Sequence, residues 1–173
     1  MVFSSLYFLF LYFPIVLITY YVTPLKWRNA VLLVFNLIFY GWGEPVYIVI
    51  MFVSIAIDYT HGLLVEKYRS RDKLARWFVA ESVLLNLGLL GFFKYWDFFA
   101  ANLSLIPGVS ISALGLPLPI GISFFTFQTM SYTIDIYRQD APAQRNMVSF
   151  GAYVTMFPQL IAGVGLFGQF ARF

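Results

Sequence analysis

The sequence predicts an all-α, polytopic integral membrane protein with about six transmembrane or re-entrant helices. Of its 173 residues 61% are hydrophobic, 21% aromatic and only 11% charged, whereas soluble domains carry about 25% charged residues. The apolar residues fall into runs, several of them near the roughly 20 helical residues that cross a hydrocarbon core of about 30 Å. The basic residues gather in short stretches between those runs, as they do in membrane loops. A net charge of +3 would also suit a nucleic-acid partner, but this placement excludes one. The chain has no cysteine, which removes disulfides, thiolate nucleophiles and cysteine-based metal sites.

Residues 3–22 form the first apolar run, without a charge. A signal peptide would begin with a basic region and end at a small-residue cleavage site. Neither is present, so the run is expected to remain as a span, kinked at Pro14. Lys26 and Arg28 follow, with Trp27 as an interfacial anchor. Residues 29–40 make a short second span that needs a thinned bilayer or protein neighbours. Gly41, Trp42, Gly43, Glu44 and Pro45 read as a compact turn. A third span, 46–65, ends with Asp58 and His61 three apart on one face, a spacing that allows a hydrogen bond at membrane depth. The segment His61-Gly-Leu-Leu-Val-Glu66 superficially echoes the His-x4-Asp box of glycerolipid acyltransferases. It has Glu in place of Asp, lies inside a span, and reads better as structural.

Lys67, Arg69, Arg71, Lys73 and Arg76 crowd the one strongly charged loop, 66–76. The excess of cations in cytoplasmic loops puts it in the cytoplasm, and alternation then puts the N-terminus outside. Nine of the eleven Lys and Arg residues fall on the cytoplasmic side, leaving Lys94 and Arg172. A fourth span, 77–99, carries Lys94 and Asp97 at i, i+3 as an expected structural pair near the outer interface.

The fifth run begins after Pro117 and Pro119 and reaches Arg138. On a helix, Gln128, Ser131 and Asp135 share one face, and Thr126, Thr129 and Thr133 make a second polar line. Two polar stripes are wrong for a lipid-facing helix. They suit burial among helices or the wall of a polar cavity, with Arg138 as a possible partner of Asp135. The sixth run, 147–167, is broken by Pro158 and Gln159, and the carbonyls freed by that proline need donors from protein or water. Gln128, Ser131, Asp135 and Gln159 are therefore the cavity-lining candidates.

Read together, Trp27-Arg28-Asn29, Tyr40-Gly-Trp-Gly-Glu-Pro45, Gly91-Phe-Phe-Lys-Tyr95, Leu116-Pro-Leu-Pro-Ile-Gly-Ile-Ser-Phe-Phe-Thr-Phe-Gln128, Ser131-Tyr132, Asp135-Ile-Tyr-Arg138, Ala143-Gln-Arg-Asn146 and Phe157-Pro-Gln-Leu-Ile-Ala-Gly163 resemble the N-terminal part of membrane-bound O-acyltransferases. Within that family the chain is most similar to the membrane subunits of bacterial alginate O-acetyltransferases, and more distantly to the D-alanyl transfer proteins of teichoic acid. The likeness covers residues 1–163; residues 164–173 diverge. It implies part of a helical ring in the bacterial inner membrane and an acyl donor, acetyl-CoA or another acyl carrier, with no cofactor bound. It also implies transfer of acetyl to an extracytoplasmic, alginate-like polysaccharide hydroxyl. The implied partners are membrane lipid, the C-terminal half of the protein and extracytoplasmic acetyltransferase proteins. The family's essential histidine belongs to that C-terminal half, and His61 does not occupy its motif. No catalytic or metal-binding residue is therefore assigned, and the chain alone is expected to be inactive as a truncated, frameshifted or split member. The rival expectation is a small non-catalytic membrane subunit or transport-path protein.

Overall fold

A computed structural model describes residues 6–43, 45–105, 111–115, 118–119 and 121–156. Gln159, the Pro158 break and the divergent stretch 164–173 lie outside them. The described residues are helical and loop, without a strand.

The first run folds as a π-helical turn, Phe8–Tyr12, leading into α1, Phe13–Val22. Pro14 sits in the first turn of α1, so its missing N–H is absorbed where the wider π turn hands over to α geometry. Thr23 ends α1 in extended backbone because Pro24 follows it. After a short 3₁₀ turn, Leu25–Trp27, comes α2, Arg28–Gly43. This helix overruns the expected turn: Gly41, Trp42 and Gly43 are helical, and the turn is confined to residues after them. A Cβ on Gly41 would lie 3.4 Å from Ile48 Cδ1, an ordinary contact, so the start of the next helix packs beside this turn of α2.

The third helix, α3, Ile48–Lys67, and the fourth, α4, Asp72–Leu103, are each long and apolar enough to cross a membrane. Asp72 opens α4 with an acid in its first turn, favourable to the helix dipole, and pairs with Arg76 one turn on at 2.7 Å. At 32 residues, α4 extends beyond its expected span at both ends. Its buried residues, Ala75, Ser82, Asn86 and Leu90, recur on one stripe, while Leu84, Leu85 and Leu87 are exposed. Polar residues inside and leucines outside invert the soluble pattern and suit a lipid surround.

The fifth helix, α5, Ile122–Arg138, starts at Gly121 with a left-handed φ of 77° and ends at Gln139 with φ 67°. Asp140 N–H donates to Asp135 O and Gln139 N–H to Ile136 O, the paired bonds of a Schellman stop. The sixth, α6, Met147–Val154, is opened by Asn146, whose side-chain oxygen accepts from Val148 N and Ser149 N. In the packing, α3 contacts α4 and α5, α4 contacts α5, and α2 joins α1 to α6.

Candidate functional site

Two polar regions stand out, one where α3, α4 and α5 meet and one where the α5–α6 connection meets α3, and both are built by residues that apolar packing alone would not place there. The deeper one centres on Asp58 of α3, which is fully buried. Ser82 Oγ donates to Asp58 Oδ1 at 2.6 Å, and Asn86 Nδ2 lies 2.8 and 2.9 Å from its two carboxylate oxygens. From α5, Thr133 Oγ1 lies 3.3 Å from Ser82 Oγ and Thr129 Oγ1 donates to Asn86 Oδ1 at 3.5 Å. A carboxylate removed from water needs several such donors, and here α4 supplies them while α5 hydroxyls contact the donors in turn.

The expected Asp58 to His61 bond is not what forms. Asp58 turns to α4, and His61 Nδ1 donates to the Ile57 carbonyl of its own helix at 2.7 Å, leaving Nε2 3.6 Å from Glu81 Oε2. Lys94 and Asp97 likewise do not pair as expected. Asp97 holds the backbone N–H groups of Leu114 and Gly115 in the loop that follows α4, and Lys94 lies over the Tyr95 ring. Bonds from two backbone N–H groups to one carboxylate are charge-assisted and hold the loop to α4. Arg138 sits 3.5 Å from Asp140, the residue just beyond its helix stop.

The second region is at the basic end. Glu66 accepts from Ala143 N at 3.1 Å with one oxygen and pairs with Arg145 through the other. Tyr132 OH accepts from Gln144 N, and Tyr59 OH donates to Arg145 O. The short connection between α5 and α6 is thereby strapped to α3. Next to it lies a cavity of about 580 Å³ between α2, α3 and α6, with Leu32, Phe150 and Met156 as apolar wall and Asn29, Gln144 and Arg145 as polar wall. Its size falls among small-molecule sites.

Of the cavity-lining candidates, Gln128, Ser131 and Asp135 do not line this cavity. Gln128 is buried and its Nε2 donates to Tyr153 O at 3.0 Å; Ser131 donates to Gln128 O of its own helix at 2.8 Å; Asp135 is half-buried. The threonine line is fully buried, and Thr129 and Thr133 join the Asp58 cluster. Sequence reasoning missed Ser82, Asn86 and Glu66 as site residues. The two polar residues of α4 stand i, i+4 inside a leucine-rich run, and that spacing was the available signal. Among the described residues no group of three His, Asp or Glu side chains could hold a metal ion.

Fold and site define a helical protein with membrane-length helices, a buried polar core and a cavity at its basic end. No protein-family model matches the chain, and no solved structure matches it significantly. Curated relatives do. It is 42% identical over 172 residues to the probable alginate O-acetylase AlgI of Pseudomonas putida, covering 94% of this chain and 34% of that protein. It is 39% identical over 171 residues to the Azotobacter vinelandii protein of the same name, covering 94% and 34%. A peptidoglycan O-acetyltransferase of Helicobacter pylori matches at 29% identity over 192 residues, covering 94% and 36%. The chain is thus similar over nearly all its length to part of proteins named alginate O-acetylases, and it spans about a third of the length of these relatives.

Proposed function

We propose that the chain is the N-terminal part of a multi-pass membrane O-acyltransferase of the bacterial inner membrane that passes acetyl groups to hydroxyls of an extracytoplasmic, alginate-like polysaccharide. The single observation that carries this reading is collinear similarity over 94% of the chain to proteins named alginate O-acetylases. The basic-loop asymmetry supports an arrangement of about six membrane-embedded segments with the N-terminus outside and loop 66–76 in the cytoplasm. The cavity beside Glu66 and Arg145 then faces the cytoplasm, where acetyl-CoA or another acyl carrier would arrive. Acyl transfer needs a base to take the acceptor's proton. Glu66, the carboxylate at the cavity, is taken up by Ala143 N–H and Arg145, so the base is assigned to the remaining two thirds of the protein. The extracytoplasmic acetyltransferase proteins inferred from the resemblance would receive or relay the acetyl group.

The test is a graft. Residues 1–156 replace the matching segment of an alginate O-acetylase in a strain lacking its own, and polymer acetylation is measured per membrane-inserted protein. Acetylation within about tenfold of the parent is expected, since one misplaced group costs up to about a hundredfold. The ungrafted chain expressed alone is expected to give none. A well-inserted graft with no acetylation would favour the non-catalytic subunit or transport-path reading.

A further inference from the structure

The last carbonyls of α6 face protein, because Phe150, Gly151, Ala152, Tyr153, Val154 and Thr155 are all buried. A helix end leaves its final carbonyls without intrahelical donors, and in a water-poor interior each unmet group costs several kcal/mol. Here Gly151 O keeps the Thr155 N–H at 2.9 Å and Tyr153 O a long bond from the Met156 N–H at 3.5 Å, and side chains from three elements reach these two carbonyls and Ala152 O between them. Thr155 Oγ1 donates to Gly151 O at 2.8 Å, Asn36 Nδ2 of α2 to Ala152 O at 3.4 Å, and Gln128 Nε2 of α5 to Tyr153 O at 3.0 Å. Asn36 is 1% and Gln128 7% exposed, so neither amide has water as a substitute partner.

We propose that Asn36 and Gln128 are positioning residues, a pair of amide clamps that stop α6 inside the molecule and set the point and direction at which the chain leaves it. This rests on the acyltransferase reading, since what leaves α6 there is the route to the rest of the enzyme. A carboxamide suits this position because it is neutral and offers N–H groups that a helix end lacks. Thr155 alone cannot do it, for its hydroxyl reaches only the carbonyl four residues back in its own helix. The clamps come from two different neighbours, α2 and α5, so the end of α6 is tied to both helices. Gln128 thereby acts on the cavity without lining it, since Tyr153 and Met156 are among the cavity's walls. Loss of the Asn36 amide takes away the side-chain donor of Ala152 O, and loss of the Gln128 amide leaves Tyr153 O with the 3.5 Å bond from Met156 N–H, so either lets the end of α6 shift.

The test uses a full-length relative with these residues at the matching positions. Met156→Cys is introduced as a unique cysteine in a cysteine-free background, and Gln128→Met and Asn36→Leu are then added singly. Both substitutions keep bulk and remove the donor. Each is expected to change the maleimide labelling rate at position 156 severalfold and to lower polymer acetylation about tenfold per inserted protein, in keeping with the cost of a small misplacement of reacting groups. Unchanged labelling in both variants would refute the clamp. Changed labelling with wild-type acetylation per inserted protein would refute the positioning role. Should the unsubstituted protein acetylate nothing, the acyltransferase reading fails, and the labelling shift still decides whether the clamp exists.

Discussion

Gly62 shows how one residue sets a helix interface. A Cβ there would lie 2.5 Å from Tyr132 Cε1 and 2.6 Å from its hydroxyl oxygen, closer than real contacts allow. The ring cannot retreat, because it stacks on Phe150 with centroids 4.4 Å apart and its hydroxyl accepts from Gln144 N. Gly62→Ala is therefore expected to destabilise by about 1–3 kcal/mol, the usual cost of overpacking. The check is the thermal unfolding midpoint of the detergent-solubilised protein, and an unchanged midpoint would mean that α3 and α5 are farther apart than described. From sequence this glycine sat unremarked in the middle of an apolar run, because its role is defined by a ring far away in the chain.

Among elements, the join of α3, α4 and α5 depends on donors for Asp58 more than on apolar area. Asn86→Leu removes two contacts to a buried carboxylate and is expected to cost about 1–3 kcal/mol or more. The double variant Asp58→Leu with Asn86→Leu should be less destabilised than Asn86→Leu alone, because it leaves no buried charge without donors. Unfolding of the two variants in the same detergent compares them directly, and a double variant that is the less stable of the two would sink the argument. The polar stripes on α5 were visible in the sequence, since hydroxyls and an amide at helical spacing are conspicuous in a membrane segment. Which stripe faced which neighbour was not visible. Thr129 and Thr133 met α4, whereas Gln128 met the end of α6.

For the whole molecule, the open quantity is its orientation in the bilayer. Cations gather at one end: Arg69 donates to Ile136 O, Arg76 pairs with Asp72, Arg145 with Glu66, and Lys67, Arg71 and Lys73 share the same loop region. With that end in the cytoplasm, Ser70→Cys in this cysteine-free chain is expected to resist a membrane-impermeant thiol reagent in intact cells and to react once the membrane is opened. Labelling from outside intact cells would reverse the topology and move the cavity to the other face. The surface elsewhere suits lipid: Tyr7, Phe10, Ile18, Val22 and Leu84 are exposed without polar cover.

By itself the sequence determined the helical class, the order of the apolar segments and the resemblance to O-acyltransferases, because hydropathy and collinear motifs are properties of the chain read locally. Tertiary structure alone decided the partners of the polar groups. Asp58 and His61 lie on one face in α3, yet α4 offered Asp58 stronger donors and His61 a separate carboxylate. Lys94 and Asp97 have the spacing of a pair, yet the loop after α4 brought two backbone N–H groups to the aspartate. Helical spacing says which side chains are able to meet, but a buried polar group goes to whichever neighbour satisfies it most fully, and packing supplies that neighbour.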